Sequence, residues 1–285
     1  MIWIPFSGAV SEATGMILEK KILRKHKVNY KNYTVYGFLA LVLIMLPLIY
    51  FFWNVEKEAY LPLNILIFTL VILSSILANL LIFYSLKRET VTELEPIRLM
   101  QPLFTILLAF IFSFFFSVYS NERKHSILIL ALIASISLIV SHIKKHHLVW
   151  DKYILAALFG SFLFALELVI SKAILPYYST ISFYFLRCLA VFLITLLIFR
   201  PKDNLNRKTK LLILIVGAIW VFYRLILYYG YLTYGVVFTT ILFILAPVFI
   251  FLFAKIFLKE KINLKQIISS IIIIICIIIA ILLEF

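Results

Sequence analysis

Asn79-Leu80-Leu81-Ile82-Phe83-Tyr84 and Arg224-Leu225-Ile226-Leu227-Tyr228-Tyr229 stand 145 residues apart in a chain of 285 residues. Asn79 falls opposite Arg224, Phe83-Tyr84 opposite Tyr228-Tyr229, and Pro102 opposite Pro247, with no gap between them. A second correspondence, at a shift of 152, sets Gly8, Lys20, Ile22 and Leu23 against Gly160, Lys172, Ile174 and Leu175. Polar residues that recur at fixed spacing in an apolar string mark two copies of one unit, read here as residues 1–147 and 148–285. Transporters use this arrangement to place a site between halves.

The composition says where such a unit resides. With 65% hydrophobic residues and a mean hydropathy of +1.12, the chain has too little polar surface to cover a water-soluble globule, so it belongs in a bilayer. Unbroken runs such as Ile267 to Leu283 lack the alternating polarity of a spanning barrel strand and point to helices. Windows of about 20 residues, enough to cross the hydrocarbon core, give ten spans in two fives. The first five start near Ile2, Tyr33, Pro62, Pro96 and Ser126 and the second five near Tyr153, Thr180, Leu211, Val236 and Leu264. The expected fold is therefore an all-α polytopic membrane protein. Trp3, Trp53 and Trp150 fall at or near span ends, where amphipathic rings prefer the headgroup zone, whereas Trp220 lies inside the eighth span.

The net charge of +14 follows the same map. Nineteen Lys and Arg sit in the connections on one side of the alternating spans, against Lys57, Arg123, Lys124 and Lys172 on the other. The positive-inside rule puts the basic connections in the cytoplasm and both termini outside. Five spans per copy is an odd number, so the second copy is inverted relative to the first. The basic surplus thus belongs to orientation and lipid headgroups; no nucleic-acid motif accompanies it. Cys188 and Cys276 both lie within apolar runs and imply no disulfide framework.

Glu12, Glu167, Arg187 and Arg224 are ionisable groups well inside spans. Each costs about 2.5 to 3.5 kcal/mol at a helix centre on insertion scales, so they are expected to face the bundle interior, a watery cavity or one another. Structural ion pairing and a substrate or proton role are equally open for any one of them. Gly8, Glu12, Gly15 and Glu19 share a helical face, and the shift of 152 carries that face onto Gly160, Phe164, Glu167 and Ser171. Each half thus presents a carboxylate from its first span, one turn apart in depth, and protons are a candidate coupling ion. In the eighth span Trp220, Arg224, Tyr228 and Tyr231 form a stripe in which a guanidinium can hold a carboxylate or phosphate; Asn79 is its polar counterpart. Arg98, Gln101 and Thr105 make a polar face that is either a pathway mouth or a solvated helix start, and Pro102 and Pro247 are expected to kink their spans. Lys172, near a span end, can snorkel. His142 and His146 have the spacing of a metal pair but no third ligand, so no metal site is expected.

Several of these residues also fit a known pattern. Gly235, Ala246-Pro247-Val248-Phe249 and Leu258-Lys259-Glu260-Lys261 before an apolar final span resemble the end of an EamA-type repeat of the drug/metabolite transporter superfamily. Gln101-Pro102-Leu103-Phe104 and Asn121-Glu122-Arg123 make a weaker copy in the first half, and Gly8, Gly160 and Arg187 fit as well. The halves depart in length, with 20 residues from Pro102 to Glu122 against 13 from Pro247 to Glu260. The resemblance implies a ten-helix carrier in the cell membrane that moves a small metabolite by alternating access. Its central cavity would be lined by the first, third and fourth spans of each repeat, which hold Glu12, Asn79, Arg98, Glu167 and Arg224. Members commonly keep both termini in the cytoplasm, the reverse of the charge count. No cofactor or ATP is expected, because the sequence has no phosphate-binding loop. The rival readings are a membrane enzyme acting on a lipid headgroup, for which no convincing set of acids or histidines exists, and a packing partner that transports nothing.

Overall fold

The computed structural model describes residues 3–25, 28–86, 97, 99–142, 152–201, 205–258 and 263–284. Arg98 and His146 lie outside them. Eleven α-helices follow one another among the described residues: α1 Trp3–Lys25, α2 Tyr30–Phe52, α3 Pro62–Leu86, α4 Met100–Ser113, α5 His125–His142, α6 Lys152–Ile174, α7 Thr180–Phe199, α8 Arg207–Thr233, α9 Val236–Phe243, α10 Leu245–Leu258 and α11 Leu264–Glu284. Local chemistry starts several of them: the side chains of Ser179 and Asn206 accept backbone N–H groups in the first turns of α7 and α8.

The protein is an all-helical, multi-pass membrane protein. Among the described residues six helices are long and apolar enough to cross a bilayer: α2, α3, α6, α7, α8 and α11. Of the remaining expected spans, α5 is a shorter apolar helix, and the other three are less regular, each for a reason. The length of α1 is sufficient, but it carries Glu12 and Glu19. At 14 residues α4 covers only about 21 Å at about 1.5 Å per residue, and the chain then bends by 118° into a short 3-10 helix, Ser117–Arg123. The ninth span is divided at Ile244 into α9 and α10. Pro247, in the first turn of α10, has no N–H to return to Phe243, which is where the helix stops. Pro102 lies likewise in the first turn of α4, three residues after a turn at Leu99, as Pro247 lies three residues after Ile244.

Packing between the halves is reciprocal. Helix α1 packs on α8 while α3 packs on α6, α2 meets α7, and α5 meets α11; α1 also contacts α9 and α10, as α6 contacts α4. Exchanging the halves maps these pairs onto one another, as a two-fold relation requires. Glycines permit the two close approaches. A Cβ added at Gly8 would stand 2.6 Å from Phe243 Cε1, and one at Gly160 would stand 2.9 Å from Ile82 Cγ1. One buried core runs through both halves and includes Met45, Ile106, Phe183, Tyr228 and Tyr231. Exposed apolar rows such as Leu66, Leu70, Leu73 and Leu77 on α3, or Ile267, Ile271, Ile274 and Ile278 on α11, are the surfaces that meet lipid.

The face where α2, α6 and α8 end is tied together across the halves. Glu56 N–H donates to Tyr177 O (2.9 Å), Ser179 N–H to Asn54 O (3.0 Å), Ser179 Oγ to Phe52 O (2.7 Å), and Asn54 N–H to Ser182 Oγ (3.0 Å). On the same face Tyr119 OH donates to Val169 O at 2.6 Å.

Candidate functional site

A cavity of about 230 Å³ lies between the halves. Its wall on α8 runs from Ile213 to Tyr231, about 27 Å of helix at about 1.5 Å per residue. Glu12, Met16 and Glu19 face it from α1, Asn79 and Ile82 from α3, and Gln101, Pro102 and Thr105 from α4. The sixth and seventh helices contribute Phe164, Leu168, Tyr184 and Arg187; Thr240, Phe243 and Pro247 come from the broken span. These positions follow helical spacing, which turns one face of each helix inward.

The charged groups sort into two layers. Glu167 is wholly buried and stands behind the wall, where two guanidiniums share it: Arg187 Nη1 lies 3.2 Å from Oε1 and Arg224 Nη2 lies 3.3 Å from Oε2. Tyr228, equally buried, accepts from Arg187 Nη1 at 2.9 Å and donates to Glu167 Oε1 at 3.3 Å. Arg187 Nη2 reaches across to the first half and donates to Ser75 Oγ at 2.8 Å. Aromatic faces complete the shell, with Arg224 over Tyr228 and Arg187 over Tyr184 at 5.7 and 5.5 Å. Within this layer two guanidiniums share one carboxylate. Arg187 Nε and Arg224 Nη1 are buried donors without a hydrogen-bond acceptor among the described residues.

The second layer lies on α1. Tyr223 hydrogen-bonds Glu12 and Tyr33 hydrogen-bonds Glu19, so each carboxylate is oriented by a tyrosine on a neighbouring helix. Asn79 donates to Ser75 O one turn back (2.7 Å) and lines the shared space.

The structure therefore brings Glu12, Asn79, Gln101, Pro102, Arg187, Trp220, Arg224 and Pro247 to one cavity, with Glu167 and Tyr228 immediately behind it. Glu19 lines the cavity from the face on which the sequence placed it with Glu12. Ser75 and Tyr184 were not singled out from the sequence. Ser75 lies one helical turn before Asn79 and was legible on that ground. Tyr184 sits three residues before Arg187 and gave no separate signal.

A second buried ion pair escapes sequence reasoning altogether. Lys172 does not snorkel: its Nζ lies 2.5 Å from Glu122 Oε1, both side chains are buried, and it sits over the Tyr119 ring. The bend after α4 brings Glu122 across to the second half. There Oε1 accepts the Val236 N–H (2.7 Å) and Oε2 the Val237 N–H (2.9 Å), capping α9 at its N-terminus.

The sequence model of the EamA-like transporter family matches residues 1–141 and again residues 151–282. The chain belongs to the EamA-like transporter family. The two matches cover the two halves whose helices pack reciprocally, and membership in the drug/metabolite transporter superfamily follows. No curated protein matches the chain in sequence. A solved crystal structure shares its fold, with a TM-score of 0.76 over 99% of this chain and 96% of the other at 15% identity. EamA-like proteins are transporters of small molecules, and the cavity is the feature of this member on which such a role would rest.

Proposed function

We propose that this EamA-like protein is a secondary carrier that moves a small organic metabolite across the cell membrane by alternating access. In this reading ten spans form two inverted five-helix repeats, and the cavity between them is the substrate site. The observation that carries it is the cavity itself: an inter-half space whose wall holds Arg224 and Asn79 from equivalent helices of the two repeats, with Glu12 beside them from α1. Buried charge at such a place is expensive in a bilayer and is retained where it faces water, a ligand or a partner.

The lining residues also suggest which state this is. They extend toward Glu19, Tyr33 and Ile213, near the basic connections, while the opposite face carries the bonds between Asn54, Tyr177 and Ser179 and the Glu122–Lys172 pair. With basic connections in the cytoplasm and both termini outside, this is an inward-open conformation. Opening the other way would require those face-closing bonds to part, with Ile244 as the place where the ninth span flexes.

Uptake and efflux in proteoliposomes over a metabolite panel, with and without a proton gradient, test the reading. Glu12→Gln and Arg224→Ala are expected to lower flux at least tenfold. Unchanged transport in both, with the proteins well folded, overturns the cavity assignment. Thiol labelling of Lys21→Cys and Lys208→Cys is expected from the cytoplasmic side; labelling from outside reverses the topology.

A further inference from the structure

We infer that the ligand is a monocarboxylate with an apolar body, and that Arg224 holds its carboxylate. The inference rests on the carrier reading for its biological meaning, but its chemistry comes from charge and donors on the cavity wall.

Arg224 is nine-tenths buried, lines the cavity, and has Nη1 without an acceptor among the described residues. A buried guanidinium donor without an acceptor leaves its desolvation uncompensated, the more so because the group is charged. Nη1 itself has almost no accessible surface, so an anion in the cavity removes the deficit once the guanidinium turns that donor toward it. It also gives Arg187 and Arg224, which share Glu167, a second carboxylate in direct contact.

The rest of the wall limits the anion to one charge. Tyr223, the residue next to Arg224, hydrogen-bonds Glu12, so a carboxylate stands close to the same site. Glu12 and Glu19 both line the cavity, and like charges there disfavour a dianion such as a phosphate monoester. Apolar surface surrounds the anchor: Leu168, Trp220, Leu227, Phe243 and Ile244 line the same space. A volume of about 230 Å³ holds a small molecule. The recognised chemistry is thus a carboxylate in the guanidinium fork and a compact hydrophobic body against aromatic rings.

The test uses purified full-length protein in detergent and four probes with one phenyl body: 3-phenylpropionate, its neutral amide, 2-phenylethylamine and phenyl phosphate. Thermal unfolding reads binding to the folded state as a ligand-dependent rise of the midpoint. The carboxylate is expected to stabilise at concentrations at least tenfold below those needed for the amide, the amine or the phosphate. Arg224→Gln is expected to abolish that preference, and Arg224→Lys, which keeps the pair with Glu167, to reduce it about tenfold. Glu12→Gln should retain the carboxylate and admit the phosphate more readily. No carboxylate-dependent shift in the wild type, or an undiminished preference in a folded Arg224→Lys protein, overturns the inference. Flux in proteoliposomes separates the two claims. Carboxylate binding without flux of any solute overturns the carrier and leaves the site; flux with no preference for carboxylates does the reverse.

Discussion

Two buried carboxylates meet basic groups in this molecule, Glu122 at one face and Glu167 at mid-membrane, and their surroundings differ. Both oxygens of Glu122 are occupied: Lys172 and two backbone N–H groups of α9 converge on them, one cation to one anion. Glu167 must serve two guanidiniums, and donors of both arginines remain without acceptors among the described residues. A balanced, fully bonded pair is what a joint needs. An unbalanced cluster with vacant donors beside a cavity is what a ligand can complete. The difference lets structural and ligand-directed charge be told apart without reference to depth in the membrane.

The largest effect should come from breaking the balanced pair. Glu122→Ala leaves Lys172 buried without its partner and uncaps α9, for a loss of about 3 to 5 kcal/mol. Denaturation of the purified protein measures it, and an unchanged midpoint would mean that the pair is dispensable. Gly235→Ala attacks the same joint through the backbone. Gly235 has φ 91° and ψ 169°, a region that is essentially glycine-only, and an added Cβ would stand 2.8 Å from Glu122 Oε1. About 3 kcal/mol, the upper part of the range for such strain, is expected.

At mid-membrane the second guanidinium should soften the loss. Arg187→Gln leaves Glu167 paired with Arg224, so about 2 kcal/mol is expected for the lost charged hydrogen bonds, clearly less than for Glu122→Ala. A loss as large as that of Glu122→Ala would show that the triad is as tightly specified as the joint. Tyr228→Phe is the mildest change: one hydroxyl that accepts from Arg187 and donates to Glu167 disappears at about 1 kcal/mol, measurable as a small shift of the unfolding midpoint.

The sequence disclosed these two regions unequally. Arg224 and Glu12 were legible because charge inside an apolar run is conspicuous, and helical spacing placed Glu12 beside Gly8 and Gly15 on one face. The apolar runs likewise located the helices, apart from the breaks. The break at Ile244 falls one turn ahead of Pro247, but the bend after Ser113 has no proline to announce it. For that reason the Glu122–Lys172 pair was hidden: a lysine near a span end reads as snorkelling, and only the 118° turn after α4 delivers the carboxylate to it. Equivalent helical faces also did not foretell equivalent roles. Glu12 faces the cavity, whereas close packing of α6 on α3 through Gly160 keeps Glu167 behind the wall. Depth of burial depends on how tightly neighbouring helices approach, a tertiary quantity that periodicity does not carry.

The reciprocal packing of α1 on α8 has a consequence for biosynthesis. Glu12 obtains its tyrosine partner from Tyr223, which the ribosome adds only after the whole first half and most of α8 are made. At about 5 to 20 residues per second, roughly 10 to 40 seconds pass between the two. During that interval α1 is a helix with two carboxylates and no partner from the second half, too polar to be left among lipid tails. Glu12 spends those seconds without the hydroxyl that orients it in the finished fold.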